Sequence, residues 1–300
     1  MDVRGLLWQW NLRPSKGLGQ NFLCDQGVLE KIVAAAELAS DDVVLEIGAG
    51  LGTLTELLAQ AAGRVVAVEL DERLIPVLQS TLSEFNNITL VQGNILTLDL
   101  AALINAPNPY EQSDPISVNK ATQSPIPNPQ YKVVANLPYY ITSAVLRHLL
   151  EANLKPQSMV LTVQREVAER ITAKPGRMSL LAVSVQLYGR PRLLFRIKPG
   201  SFYPAPGVES AVLHVDLHST PLVDAENTDA FFRVVRAGFS QRRKQLRNSL
   251  AAGLGQPAEK VAAGLEKAGV DPRRRAQALS LEEWARVARS LGALSGKEGE

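Results

Sequence analysis

The sequence predicts an α/β chain: a doubly wound, mostly parallel sheet that includes an antiparallel strand pair, followed by a small C-terminal helical domain. Three patterns predict it. Short β-branched runs alternate with amphipathic stretches through the first two thirds of the 300 residues; two strand-like runs then follow with no convincing helix between them; and beyond Thr220 only helical periodicity remains. Strand–helix alternation of this kind implies right-handed crossovers and parallel pairing.

In chain order, Val43-Val44-Leu45-Glu46-Ile47 reads as a buried strand, followed by a glycine-rich turn and a helix over 53–62. Val65-Val66-Ala67-Val68 is the second strand, with a helix over 71–84 behind it. Ile88-Thr89-Leu90-Val91, Lys132-Val133-Val134-Ala135 and Met159-Val160-Leu161-Thr162-Val163 are the third, fourth and fifth. Residues 192–197 and 211–217 supply the antiparallel pair. The second of these sets Ala211, Leu213, Val215 and Leu217 on one face against His214, Asp216 and His218 on the other, the period of a strand with one wet face. Helices are expected over 229–239, 242–252, 257–268 and 280–291. The stretch 105–130 is rich in Pro, Asn and Ser and lacks core-forming periodicity, so it is expected to be a mobile surface insertion. These changes of pattern imply two domains, 1–220 and 221–300.

Composition narrows the function classes. The apolar fraction of 46% and the charged fraction of 21% are ordinary for a globular chain, and no apolar run approaches the roughly 20 residues needed to span a bilayer. The start, over 1–11, has a short apolar patch without the layout of a signal peptide. The single cysteine, Cys24, excludes an intrachain disulfide and fits a reducing cytoplasm. Net charge is only +2, but from Phe231 onward fourteen Lys/Arg stand against seven Asp/Glu, which leaves the rest of the chain at −5. A basic footprint for nucleic acid on the C-terminal part is one reading of that asymmetry, solvated helix faces the other. The three histidines, His148, His214 and His218, do not cluster with Cys or carboxylates at ligand spacing, and no metal site is expected.

Glu46-Ile47-Gly48-Ala49-Gly50-Leu51-Gly52 sits where the first strand gives way to the first helix, the place where open α/β sheets bind ligands. Gly48 and Gly50 let the backbone turn sharply and come close to a ligand. Glu69 closes the second strand, where a carboxylate can accept from both hydroxyls of a ribose. Asn94, after the third strand, can meet an adenine edge, or serve as an ordinary turn residue. These features define an adenosine-binding fold and fit a nicotinamide dinucleotide as well as S-adenosylmethionine.

Asn136-Leu137-Pro138-Tyr139 discriminates between them. It follows the fourth strand and faces the same crevice. The exocyclic nitrogen of adenine is a poor nucleophile because its lone pair is delocalised into the ring. Acceptors for both amine hydrogens draw that nitrogen toward tetrahedral geometry, and the Asn136 side-chain oxygen and the Pro138 carbonyl are the expected pair. Tyr139 offers a flat face for the unstacked base.

With these residues in place the chain resembles the small-subunit ribosomal RNA adenine dimethyltransferases, the kasugamycin-sensitivity methyltransferase family, over nearly its whole length. Gly17-Leu18-Gly19-Gln20-Asn21-Phe22-Leu23 is similar to the N-terminal signature, in which the resemblance implies that Asn21 and Leu23 hold the cofactor. The segment 46–52, Glu69, the 136–139 tetrad, 164–170, 202–210 and 239–250 match further signatures. The resemblance implies a Rossmann-like methyltransferase fold and a cofactor site of Asn21, Leu23, Gly48, Gly50, Glu69, Asn94 and Asn136. It also implies transfer of two methyl groups from S-adenosylmethionine to each of two adjacent adenosines near the 3′ end of small-subunit rRNA, by a monomer on the maturing particle. Two departures stand out: the family usually has Asp where Asn94 stands, and the 105–130 insertion is long for that loop. Arg242, Arg243, Lys244 and Arg247, read as lying on one helix, with Arg273-Arg274-Arg275 nearby in sequence, are the expected phosphate-contacting residues. Rival readings are a large-subunit adenine methyltransferase of the macrolide-resistance type, a DNA adenine methyltransferase, a nicotinamide oxidoreductase, and an assembly factor without activity.

Overall fold

The computed structural model describes residues 2–106, 130–219, 222–223 and 227–292. The expected surface insertion falls almost wholly on 107–129, outside the described residues. The chain divides into two compact units, 1–168 with 192–217, and 169–191 with 218–300.

The elements run α1 (Val3–Gln9), β1 (Phe22–Leu23), α2 (Gln26–Ala35), β2 (Val43–Ile47), α3 (Thr53–Ala61), β3 (Arg64–Glu69), α4 (Ile75–Thr81), β4 (Ile88–Gln92), α5 (Leu100–Asn105), β5 (Tyr131–Asn136), α6 (Thr142–Glu151) and β6 (Ser158–Gln164). Then come α7 (Arg165–Ile171), α8 (Leu180–Gln186), β7 (Gly189–Ile197), β8 (Phe202–Tyr203) and β9 (Ser210–Leu217). Among the described residues the main sheet has the order β4-β3-β2-β5-β6-β9-β7, and β1 pairs with β8 in a separate ribbon. The five strands expected to be parallel are parallel, with Val43 opposite both Arg64 and Tyr131. β9 runs antiparallel to β6, Ser158 opposite Asp216, and β7 forms the edge beyond it.

The β-branched runs become central strands because both of their faces are covered. Val44, Leu45, Val65, Val66, Val133, Val134, Val160 and Leu161 are each at most 1% exposed. Strand order reverses at β2, with β3 and β4 on one side and β5 and β6 on the other. The carboxyl ends of β2 and β5 therefore flank a switch point, the crevice in which open α/β sheets bind ligands. The helix expected over 71–84 is shorter in the structure. A 3-10 turn over Glu72–Leu74, capped by the Asp71 side chain on the Arg73 N–H, passes into α4 with Pro76 in its first turn.

The second unit contains α9 (Thr228–Phe239), α10 (Leu246–Leu254), α11 (Ala258–Lys267) and α12 (Leu281–Ser290). Phe231, Val235, Leu246, Leu250, Val261, Leu265 and Trp284 form its core, and Met178, Ala182, Val183 and Leu187 belong to the same cluster. The boundary expected at 220/221 thus takes another form: 169–191 joins the helices because α8 buries its apolar side in their core. The helix expected over 242–252 starts only at Leu246. Residues 240–244 form a turn instead. Gln245 supplies no side-chain cap, and the Leu246 and Arg247 N–H groups donate to the carbonyls of Arg274 (2.7 Å) and Pro272 (3.2 Å). α12 is closed at its start by a reciprocal capping box of Ser280 and Glu283.

Candidate active site

The crevice at the switch point holds a cavity that opens to solvent, in the place where open α/β sheets bind ligands. Three segments build it: the loop after β2, the ends of β3 and β4, and the tetrad after β5. A fourth, Leu18 to Phe22, closes one side.

Gly48, Gly50 and Gly52 have φ of +79°, +62° and +85°, left-handed values that a side chain would strain. The loop is pinned to the neighbouring strand: the Gly48 N–H donates to the Val68 carbonyl at 2.8 Å and the Gly50 N–H to Glu69 Oε2 at 2.8 Å. Glu69 Oε1 accepts from the Asp71 N–H at 2.8 Å. Each carboxylate oxygen keeps a further lone pair, so two acceptor positions are left for a ligand's hydroxyls. Burial raises the Glu69 pKa, and its backbone hydrogen bonds pull it back down. Glu46, behind the loop, is 1% exposed and its Oε2 has no hydrogen-bond partner among the described residues. Burial, reinforced by the charge of Glu69, pushes its carboxyl up to about 8.

Asn136 closes β5. Its Nδ2 donates to the Asn21 carbonyl at 3.1 Å, and its Oδ1 accepts from no described residue. The amide is thereby oriented by the N-terminal segment with its acceptor left over. The Pro138 carbonyl is already engaged, by the Ile141 N–H (3.2 Å) and the Thr142 hydroxyl (3.4 Å). The Leu137 carbonyl accepts from no described residue, while its N–H is fixed to the Thr162 carbonyl at 3.2 Å. The second acceptor expected at Pro138 is therefore better placed at Leu137, because the turn into α6 uses the proline oxygen for itself. Tyr139 lines the cavity with its hydroxyl tied to Ser210 Oγ at 2.6 Å; burial raises its pKa and that bond lowers it.

Of the expected cofactor residues, Asn21, Gly48, Gly50, Glu69, Asn94 and Asn136 all line the cavity. Leu23 does not. It is 3% exposed in the core with Leu29 and Ile32, because strand alternation in β1 turns Phe22, not Leu23, to the cavity. Asn94 takes the turn role and also lines the cavity. Its Oδ1 accepts from the Leu96 N–H at 3.1 Å in a local turn, while the residue still faces the cavity.

Sequence reasoning passed over several contributors. Gln20 bridges the loop to β3, with Nε2 donating to Asp71 Oδ2 (2.8 Å) and Oε1 accepting from the Ser15 N–H (2.7 Å). Asp71 also takes the Arg73 guanidinium, whose hydrogen bond is the main reason its pKa is lowered. Phe22, Phe202 and the exposed Tyr140 add aromatic surface to the walls. Gln20 stood in plain view inside the N-terminal signature, and Asp71 two residues after Glu69, but nothing in either segment announces that they meet.

In the second unit, Arg242, Arg243 and Lys244 lie exposed in the turn before α10, not on one helix with Arg247, which sits in the first turn of α10. The backbone bonds to Pro272 and Arg274 still bring exposed Arg273 and Arg275 to the same end of α10. Arg274 is committed elsewhere, to Glu283 and the Ala278 carbonyl. Among the described residues no group of three or more His, Cys, Asp and Glu is placed to hold a metal ion, and no helix is long and apolar enough to cross a membrane.

Comparison with known proteins agrees with this architecture. The model of the family described as ribosomal RNA adenine dimethylase matches residues 11–292. A ribosomal RNA small subunit methyltransferase A from Dehalococcoides mccartyi is 45% identical over 286 residues, 95% of this chain and 91% of that one. Its counterpart from Pelotomaculum thermopropionicum is 43% identical over 292 residues, 96% and 95% of the two chains. Among solved structures, the 23S rRNA methyltransferase ErmE aligns with a TM-score of 0.69 at 28% identity, over 91% of this chain and all 100% of that one. A dimethyladenosine transferase from Plasmodium falciparum has a TM-score of 0.70 at 24% identity over 89% and 95%, a likeness of fold. A match that runs from before the first site residue to the end of the last helix leaves one conclusion: the chain belongs to the ribosomal RNA adenine dimethylase family.

Proposed function

We propose that the protein transfers methyl groups from S-adenosyl-L-methionine to the exocyclic amines of two adjacent adenosines near the 3′ end of small-subunit rRNA. The products are dimethyladenosines, made as the small ribosomal subunit matures, and the enzyme acts in the cytoplasm as a monomer. The observation that carries the reading is Asn136, whose amide nitrogen is held by Asn21 while its oxygen is left free at the cavity.

The residues present fit the cofactor. Gly48 and Gly50 bring bare backbone to the cavity, Glu69 keeps two acceptor positions for a ribose, and Ile47, Val68, Leu70 and Ile95 give apolar walls for a purine. Bound there, S-adenosylmethionine supplies a methyl group already activated by the sulfonium. The protein's own part is positioning. In the first transfer Asn136 Oδ1 and the Leu137 carbonyl accept from the two amine hydrogens; in the second, one of them accepts from the hydrogen that remains, and each time they hold the nitrogen's lone pair toward the donor. Tyr139, fixed by Ser210, and Tyr140 offer faces on which the extruded base rests. An amide is no base, so the proton shed at each transfer goes to water. The exposed Arg242, Arg243, Lys244 and Arg247 contact phosphates and place the RNA without reading its bases.

The relatives named for the small subunit, at 45% and 43% identity, favour that substrate over the large-subunit alternative, whose representative stands at 28%. Mass spectrometry of small-subunit rRNA from cells with and without the gene tests the assignment. Adjacent dimethyladenosines that vanish with the gene are expected; an unchanged rRNA contradicts it. In the purified protein, Asn136→Ala is expected to lower kcat on the order of 10²-fold, the scale seen when one transition-state hydrogen bond is removed, with donor affinity changed far less.

A further inference from the structure

The first ten residues precede the segment 11–292 that the family model matches, yet most of them fold as α1 against the wall of the site. Val3 and Leu7 are buried with Phe22, Leu51, Leu74 and Val77, and of these Phe22 and Leu74 also line the cavity. Holding the helix there needs only the Val3–Leu7 side. Trp8 points away from it and is 87% exposed, the most exposed large apolar side chain among the described residues. Arg4 stands one turn earlier on the same stripe of α1. Its guanidinium lies over the Tyr203 ring, 4.8 Å from the centroid, and Tyr203 directly follows Phe202, another lining residue. An exposed indole in line with a guanidinium already stacked on an aromatic ring is the chemistry that receives a nucleobase and its phosphate.

We infer that α1 is an accessory RNA-binding element, on which Trp8 stacks an unpaired nucleotide flanking the target adenosine while Arg4 meets the backbone. The inference rests on the RNA substrate proposed above. Charge supports it: residues 1–20 contain Arg4, Arg13 and Lys16 against one acid, Asp2, and Asp2 is used to cap α1 by accepting from the Arg4 N–H at 3.1 Å. Stacking on an aromatic face suits a strand whose target base must leave its own stack, since the neighbours that lose a partner need another. A second copy of this chain would bring the same cations against themselves, which favours a polyanion as the occupant.

The test is a titration of immature small ribosomal subunits against wild type, Trp8→Ala, Trp8→Phe and Arg4→Ala, with donor affinity measured by calorimetry on each. Trp8→Ala is expected to weaken subunit binding about 5- to 150-fold, the range for loss of one base–aromatic stack. Trp8→Phe should stay within a few-fold of wild type, and Arg4→Ala should flatten the salt dependence. Donor affinity should hold in all three and melting temperature in the two Trp8 variants, because Trp8 is exposed, whereas Arg4→Ala also loses the stack on Tyr203. Subunit affinity unchanged in Trp8→Ala overturns the inference. So does a wild-type dimer in sedimentation that Trp8→Ala makes monomeric, which would assign the face to self-association. A wild-type protein that fails to bind immature small subunits overturns the proposed function as well, and the wild-type titration alone reveals it.

Discussion

Asn136 and Glu46 lie on neighbouring parallel strands and illustrate two uses of a polar side chain in a dry place. Asn136 has one end satisfied and the other available, which is what a site needs for a ligand's donor. Glu46 has an oxygen with no partner among the described residues, and burial, against the pull of the Thr55 hydroxyl, keeps its carboxyl protonated to about pH 8. The consequence for stability has a definite sign. Below an unfolded pKa of about 4.5 both states carry the proton and Glu46 adds no penalty. As pH rises toward 8 the unfolded chain ionises while the folded one does not, so stability declines across that window and levels off above it. Glu46→Gln cannot ionise. Its melting temperature relative to wild type is therefore expected to rise steadily from pH 5 to pH 8; parallel profiles for the two proteins would refute this.

Residue identities at the site were legible because the chemistry restricts them: glycines at positive φ, a carboxylate at the end of β3, an amide at the end of β5. What could not be read was which atom of a residue is already spent. The Pro138 oxygen is used by the first turn of α6, and the Asn94 oxygen by its own turn, and only the folded backbone reveals either.

At the scale of elements, the segment from Leu18 to Phe22, whose end pairs with β8, is also tied across the cavity by two side-chain hydrogen bonds. Gln20 ties it to Asp71, and the Asn21 carbonyl ties it to Asn136. Donor binding beneath this segment should weaken when the first tie is cut. Gln20→Ala is expected to reduce donor affinity about 3- to 10-fold, the worth of a typical net hydrogen bond, with kcat at saturating donor changed less. Gln20→Glu, which sets a carboxylate against Asp71, should be worse than Ala. Equal donor affinity in calorimetry across the three proteins would show that the tie does nothing. The parallel strands were plain in the sequence because burial on both faces demands β-branched runs. The start of α10 was not, since its first N–H groups are satisfied by carbonyls some 25 positions onward, at Pro272 and Arg274. α8 escaped for a similar reason: its apolar side is completed only by α9 and its neighbours in the second unit.

For the whole molecule, the lopsided charge of the sequence resolves into a place. The turn before α10 and the loop bonded to that helix's first turn put Arg242, Arg243, Lys244, Arg247, Arg273 and Arg275 at one end of one helix. Reversing the four charges from Arg242 to Arg247 is expected to weaken binding to immature small subunits, with donor affinity intact. The salt slope should fall by about 0.7–0.9 for each phosphate that the protein no longer neutralises. Binding that survives moderate salt in the reversed protein would remove this surface from the account.

In the proposed reaction two oxygens at the end of β5, Asn136 Oδ1 and the Leu137 carbonyl, present a purine's amine to an activated methyl group. This is tested most directly by incubating immature small subunits with radiolabelled donor and either wild-type protein or Asn136→Ala, with donor affinity of both measured alongside. With both proteins saturated with donor, label entering adjacent adenosines with wild type and nearly lost with the variant is the expected result. Equal labelling by the two proteins would contradict it.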